Sequence, residues 1–376
     1  MAVKVLQKVA SMNAGGIEKL LITIHENLDT DRVQMDYYLN LDEEQFYGEE
    51  IESLGGRYFT PRQADASWIR YLRRIVDFYR FLKKNDYRIV HINEDLLASV
   101  IYVLTCKAAR IPVVVVHSHN DHAPEKHSLL VRAGYGVGRW VIGHFADHFF
   151  ACSVQAGKWL FPKKAWAGKN FRVVNNGIGS EEYIFDPEVR AEERQKLGVA
   201  NRFVVGHIGR FAPQKNHEFL LDVFAEIFQR NPESTLLLVG DGDLKEKIEQ
   251  KARDIGVEEQ VIFLGLSRQV PRLLQAMDVF LFPSIFEGLG IVAVEAQAAG
   301  LKTICSKEVP PEAMITDYGV QLSLEAGAEK WAERILSFAD GYERRNTSQE
   351  IIKAGFDIGA VTKWIEDFYV EQFSKR

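Results

Sequence analysis

Apolar positions along the chain fall into two alternating rhythms. A short apolar run, VKVLQKVA, precedes the loop NAGG, and IEKLLITIHENL follows with Leu20, Leu21, Ile24 and Leu28 at helical spacing. That order predicts a strand, a loop and a helix. It continues through MDYYLNL, the helical WIRYLRRIVDFYRFLKKN, the strand RIVHIN, the helical LLASVIYVLTCKAAR and the strand IPVVVVHSH. Four consecutive valines at 113–116 suit a strand covered on both faces, as strands of parallel sheets are.

A turn-rich passage around Asn175, Asn176 and Gly177 interrupts the pattern, which then restarts. RFVVGHIG leads into NHEFLLDVFAEIFQRNP, STLLLVGDG into LKEKIEQKARDIG, QVIFLG into VPRLLQAM, and DVFLFPS into FEGLGIVAVEAQAAG. Strands alternating with helices of this length predict an α/β protein of two doubly wound, Rossmann-like domains, 1–180 and 181–359. Two such domains in tandem are expected to set the carboxyl ends of their strands around a central crevice, where open α/β sheets bind ligands. The closing segment 360–376 gathers Val361, Trp364, Ile365, Phe368 and Tyr369 on one helical face and needs a docking surface. A return onto the first domain is one option that the sequence leaves open.

Composition removes several classes. With 376 residues, 47% apolar and 26% charged, the chain is globular in composition. No uninterrupted apolar run approaches the roughly 20 residues of a membrane-spanning helix. The N-terminus lacks a continuous apolar segment followed by a small-residue cleavage site, so a cytoplasmic protein is expected. Cys106, Cys152 and Cys305 are odd in number and share no metal-ligand spacing, which predicts free thiols in a reducing compartment and no metal site. The net charge of −6 hides an asymmetry: residues 1–180 hold 23 Lys+Arg against 19 Asp+Glu, and residues 181–376 hold 23 against 33. The first half is the one suited to an anionic surface or substrate.

The segment FEGLGIVAVEAQAAG carries the most chemistry. Glu287 and Glu295 are separated by eight positions, about 12 Å of helix, whereas the paired carboxylates of glycoside hydrolases lie roughly 5 to 9.5 Å apart. A better reading begins with Gly288 and Gly290, which permit a tight turn into a helix whose first amides, at Gly290, Ile291 and Val292, are open to a phosphate. Glu287 then points at a polar group beside that phosphate, and Glu295, among apolar neighbours, needs a hydroxyl or a cation. Sugar and ribose hydroxyls serve both. In GRFAPQKN, Arg210 and Lys215 follow a strand's carboxyl end, where two cations suit a diphosphate. Gly15 and Gly16 allow close backbone approach after the first strand, although G-x-G-x-x-G is absent. His117 and His119 end the strand of valines and project to one side. With Asp121 and His122 they form no zinc spacing.

Taken together, the Glu-seven residues-Glu spacing of EGLGIVAVE, the GR pair ahead of Lys215, the early GG and VGDG before a helix resemble a family 4 glycosyltransferase of the two-domain GT-B fold. AGGIEK and HSHN are most similar to bacterial exopolysaccharide and capsule glycosyltransferases. The resemblance spans essentially the whole chain and implies a retaining, metal-independent hexosyltransferase with no tightly bound cofactor. It implies that Arg210 and Lys215 hold the donor diphosphate, Glu287 lies by the donor sugar and Glu295 binds the ribose. Gly15 and Gly16 then close over the phosphates, and a histidine approaches the transferred sugar. His117 and His119 compete for that place, and His119 is favoured. The donor is a nucleotide-diphosphate sugar, with UDP favoured from family frequency, and the first domain serves the acceptor. One departure is GLKTICS, where such enzymes commonly have a proline before the strand.

The acceptor implied is a glycan or a polyprenyl-diphosphate-linked oligosaccharide. Residues 57–88 hold nine Lys+Arg against three acidic residues, interleaved with Trp68, Tyr71, Phe78 and Phe81, and residues 126–172 hold eight against one, with Trp140, Phe145, Trp159 and Phe161. Basic and aromatic residues together suit peripheral binding to the inner leaflet; packing of the aromatics in a core is the competing account. A sugar-nucleotide epimerase of similar fold and a non-catalytic nucleotide-binding partner subunit are alternative readings. A pI near 6.0 and no recognised binding motif argue against nucleic acid.

Overall fold

The computed structural model describes residues 2–13, 15–40, 45–61, 67–94, 96–119 and 129–375; of 67–72, 97 and 129–133 it describes the backbone. The chain forms two compact units. One comprises Met1–Gly177 and Ile358–Arg376, the other Ile178–Asp357.

The first unit contains β1 (Val3–Val9), β2 (Val33–Tyr38), β3 (Tyr58–Phe59), β4 (Ile89–Asn93), β5 (Val113–Ser118), β6 (His148–Ala151) and β7 (Phe171–Val173) in one parallel sheet of order β3-β2-β1-β4-β5-β6-β7. Every residue of β4 and β5 is buried, as a run of valines between two helical layers requires. The helix Ile358–Ser374 docks here: Ile358, Val361, Ile365, Phe368 and Tyr369 join the core of Val5, Leu20, Leu21, Ile24 and Met35. Arg32 ties it down through Glu366 at 2.9 Å and Asp367 at 2.7 Å.

The second unit contains β8 (Phe203–Ile208), β9 (Ser234–Val239), β10 (Val261–Gly265), β11 (Val279–Phe282), β12 (Lys302–Ser306) and β13 (Gly319–Leu322), again parallel, in the order β10-β9-β8-β11-β12-β13. Both sheets grow from β1 or β8 in one direction and then resume on the other side with β4 or β11. These reversals, β1/β4 and β8/β11, are the switch points at whose carboxyl ends such sheets bind ligands.

Two local findings refine the reading of the sequence. The turn GLKTICS closes without a proline: Gly300 adopts φ +68, and the amides of Leu301 and Lys302 donate to Ala296 O (3.0 Å) and Tyr342 Oη (2.9 Å), bonds that a proline could not make. Among the basic-aromatic runs, Phe78 and Phe161 are fully buried core residues, and Phe81 packs between Tyr38, Phe59 and Tyr87. Trp140, 60% exposed, and Val137, 63% exposed, stand out from the helix Leu129–Phe145. Trp68 and Tyr71 have side chains outside the described residues. No helix among the described residues is long and apolar enough to cross a membrane.

Candidate active site

At the β8/β11 switch point the chain leaves β8 through Gly209 and Arg210 and leaves β11 through Pro283 to Leu289. These two loops are stitched together. Ile285 N donates to Gln214 O at 2.8 Å, and Asn216, held at φ 55 in the left-handed region, donates from Nδ2 to Pro283 O at 3.2 Å. The stitching brings together two residues 72 positions apart: Lys215 Nζ donates to Glu287 Oε1 at 2.5 Å. Their side chains are 16% and 6% exposed, so water screens the pair weakly. Gln214 Nε2 donates to Glu287 Oε2 at 3.2 Å, and Lys215 Nζ lies 4.8 Å from the Phe282 ring centroid.

Gly290 caps the helix Ile291–Ala298 at φ +81, and a Cβ there would meet Phe282 at 2.9 Å and Glu287 at 3.5 Å, so a side chain is excluded by backbone and by space. The amides of Gly290, Ile291 and Val292 donate to no carbonyl among the described residues, which leaves this helix start beside Glu287 able to receive an anion. One turn on, Glu295 is 7% exposed and accepts from Tyr183 Oη at 2.9 Å. Tyr183 is thus a site neighbour that sequence reasoning missed. It lies 112 positions away, in a 3-10 turn with no motif of its own.

Arg210 is exposed and makes no ion pair among the described residues, in contrast to Lys215. Its loop is packed from beneath by the VGDG turn: a Cβ on Gly240 would lie 2.1 Å from Gly209 O, and one on Gly242 would lie 2.7 Å from Phe211 O. Only glycines let the two turns touch. Behind the loop, Phe211 stacks on His217 at 4.3 Å, and His217 meets His207 edge-on at 4.8 Å. Burial holds His217 down to about 4 and His207 well below its ordinary range. These imidazoles are neutral packing, and they add no charge beside Lys215.

In the first unit, Gly15 precedes the helix Gly16–Asn27 in an extended conformation, and Glu18 lies over it, so that a Cβ on Gly15 would meet Glu18 Oε2 at 2.3 Å; nothing lies within 4 Å of one on Gly16. A carboxylate already faces this helix start, where it complements the helix dipole. His117 is buried at the end of β5, and His119, the next residue but one, is half-buried with its ring centroid 4.0 Å from that of His117. Burial depresses both, His119 to about 3 and His117 well below its ordinary value, so both are neutral at physiological pH. His119 Nε2 bonds Asn93 Oδ1 at 2.9 Å, whereas His117 Nε2 has no partner among the described residues. Asp121 and His122 lie outside the described residues.

Lys8, fully buried at the end of β1, was also passed over in the sequence. Its Nζ donates to Glu94 at 2.7 Å, Asn40 at 2.8 Å and Val9 O at 3.1 Å, and burial brings its pKa down to about 8 despite Glu94. A lysine within a strand-like apolar run gives no cue that it is inside.

Comparison with known proteins bears on the same regions. Residues 14–182 match the model described as Glycosyltransferase Family 4, and residues 189–355 match Glycosyl transferases group 1. The chain is 32% identical over 362 residues, 94% of this chain and 93% of the relative, to the putative glycosyltransferase EpsF of Bacillus subtilis. It is 27% identical over 261 residues, 66% of this chain and 65% of the relative, to an Escherichia coli UDP-Gal:alpha-D-GlcNAc-diphosphoundecaprenol alpha-1,3-galactosyltransferase. Among solved structures, Anabaena Alr3699/HepE in complex with UDP and glucose superposes with a TM-score of 0.80 at 25% identity, covering 97% of this chain and 99% of that one. The lipopolysaccharide glycosyltransferase WaaG shares the fold, with a TM-score of 0.73 at 16% identity over 97% of this chain and 99% of that one. The two parallel sheets are those of the GT-B fold, and the chain is a glycosyltransferase belonging to family 4.

Proposed function

We propose that this glycosyltransferase moves a hexose-type sugar from a uridine diphosphate sugar to a glycan or a polyprenyl-diphosphate-linked oligosaccharide, with retention and without a metal, in building a bacterial exopolysaccharide or capsule. The observation that carries the reading is the Lys215–Glu287 pair beside the open amides of Gly290 to Val292. UDP in the HepE complex, the undecaprenol-linked acceptor in the name of the E. coli relative and the likeness to EpsF support the donor, the acceptor class and the pathway.

In this reading the second unit is the donor side. Arg210, Lys215 and the helix start offset the charge that grows on the diphosphate as the sugar becomes oxocarbenium-like, a preorganised electrostatic contribution and usually the largest catalytic one. Glu287 takes a hydroxyl of the sugar while steadying Lys215, and Glu295, held by Tyr183, takes the ribose. Gly15, Gly16 and His119 come from the first unit, with His119 assigned to the transferred sugar. The first unit also takes the acceptor, at the inner face of the cell membrane, where Trp140 and the basic residues around it meet anionic lipid.

The test is thermal stabilisation by UDP, ADP, GDP, dTDP and their sugars without divalent metal, since a ligand bound only to the folded state raises the melting temperature. A shift with UDP species that is lost in Glu295→Ala and Lys215→Ala is expected. No shift with any nucleotide defeats the reading.

A further inference from the structure

The carboxyl end of the first sheet holds a chain of buried amide and phenol groups that the transfer chemistry above does not use. Gln7 on β1, Asn93 at the end of β4 and Tyr369 on the closing helix are each at most 2% exposed. Gln7 Nε2 donates to Tyr369 Oη at 3.1 Å, Asn93 Nδ2 to Gln7 Oε1 at 2.9 Å, and Asn93 Oδ1 meets His119 Nε2 at 2.9 Å. At the far end Tyr369 Oη lies 2.6 Å from His91 Nδ1.

Such a chain has two self-consistent polarities, and each dictates where the His119 proton sits. Reversing both amides would present Asn93 Nδ2 to His119 Nε2 and force the proton onto Nδ1. One contact breaks the tie. The main-chain oxygen of His91, which can only accept, lies 3.4 Å from the nitrogen of Asn93, so the NH2 belongs on that side and Oδ1 faces His119. Tyr369 then accepts from Gln7 and donates to His91, and every link has one donor and one acceptor. His119 Nδ1 is left buried with no partner among the described residues. A buried acceptor without a donor is unfavourable, so the site is poised to gain when a hydroxyl arrives.

We propose that Asn93, Gln7 and Tyr369 are positioning residues: they hold the His119 proton on Nε2, so that Nδ1 stands as a hydrogen-bond acceptor for a hydroxyl of the transferred sugar. This rests on the assignment of His119 to that sugar. Burial, which keeps the imidazole neutral, is what makes the choice of tautomer consequential. The closing helix thereby belongs to the catalytic apparatus through Tyr369 as well as to the core.

The experiment is 15N-histidine labelling with long-range 15N–1H correlation, the His119 signals being assigned by their loss in His119→Gln, alongside UDP release from UDP-glucose. Wild-type His119 is expected as the Nε2–H tautomer. In Asn93→Leu that preference is lost and kcat falls about 10- to 100-fold, the loss of one buried hydrogen bond in the transition state, with the KM for UDP-glucose little changed. Asn93→Asp, which still offers an oxygen to Nε2–H, retains the tautomer. Tyr369→Phe, the milder change, lowers kcat in the same direction. A wild-type His119 protonated on Nδ1 overturns the proposal, whatever the variants do. Wild-type kcat in Asn93→Leu overturns it while leaving the donor reading intact. If UDP neither stabilises the protein nor is released, the donor reading fails, and the tautomer decides the positioning role.

Discussion

Lys215→Met separates the structural and chemical roles of the Lys215–Glu287 pair. Removing the ammonium leaves Glu287, 6% exposed, with Gln214 at 3.2 Å as its remaining side-chain donor among the described residues. An uncompensated buried carboxylate is destabilising by about 3 to 5 kcal/mol. For a unit of the size of Ile178–Asp357, where 1 kcal/mol moves the melting temperature by about 2 to 4 °C, the lower bound predicts a fall of about 6 to 12 °C. The double variant Lys215→Met/Glu287→Leu leaves neither charge behind, and replacing a buried ion pair by apolar groups is often neutral, so its stability should return to within about 1 kcal/mol of wild type. Turnover should not return: one preorganised charge removed from a leaving phosphate lowers kcat by about 100- to 1,000-fold. Differential scanning fluorimetry without ligand and a UDP-release assay read the two quantities separately. Recovery of both stability and turnover in the double variant would make the pair merely structural, and wild-type turnover in Lys215→Met would remove it from the donor site.

Three further outcomes are expected. His217 has a folded-state pKa near 4 against 6.5 when free; below 6.5 the unfolded chain takes a proton that the folded chain refuses, so stability falls as pH drops from 6.5 to 4, by up to about 3 kcal/mol. His217→Phe, which keeps the stack on Phe211, should lower that slope in urea titrations by up to one proton, His207 still contributing its own; an unchanged slope counts against it. Gly240→Ala places a Cβ 2.1 Å from Gly209 O at φ +141, so it should lower stability by at least about 2 kcal/mol and abolish the thermal shift with UDP. Full stability in that variant would mean that the two turns do not touch. In flotation assays the protein should prefer anionic vesicles at low salt and bind them more weakly in Trp140→Ala; indifference to lipid charge refutes the membrane reading.

The sequence made the long elements legible because burial on both faces writes itself as continuous apolar runs, as in 113–116, and because helices such as His217–Arg230 repeat their apolar residues every three or four positions. It hid β6 and β7, four and three residues long, since so short a strand carries no measurable period. Lys215, Glu287 and Glu295 stood out through spacing and resemblance, yet their partners did not. Tyr183, Gln214, Asn93, Gln7 and Tyr369 are ordinary polar residues whose importance comes from folding distant segments together, and no local pattern encodes a contact across 73, 112 or 362 positions. Exposure was equally illegible: Phe78 and Trp140 sit in similar basic-aromatic runs, one sealed in the core and the other facing solvent.

The return of Ile358–Ser374 to the first unit has a consequence for how the protein is made. The second unit is continuous, Ile178–Asp357, and has all its parts once residue 357 has left the ribosome. The first unit lacks Ile358, Val361, Ile365, Phe368 and Tyr369 until the helix Ile358–Ser374 has emerged. At translation speeds of about 5 to 20 residues per second, it waits some 10 to 40 s with an apolar face of its sheet uncovered. The first unit therefore closes only after the second, and a chain cut before Ile358 has an intact second unit and an unfinished first.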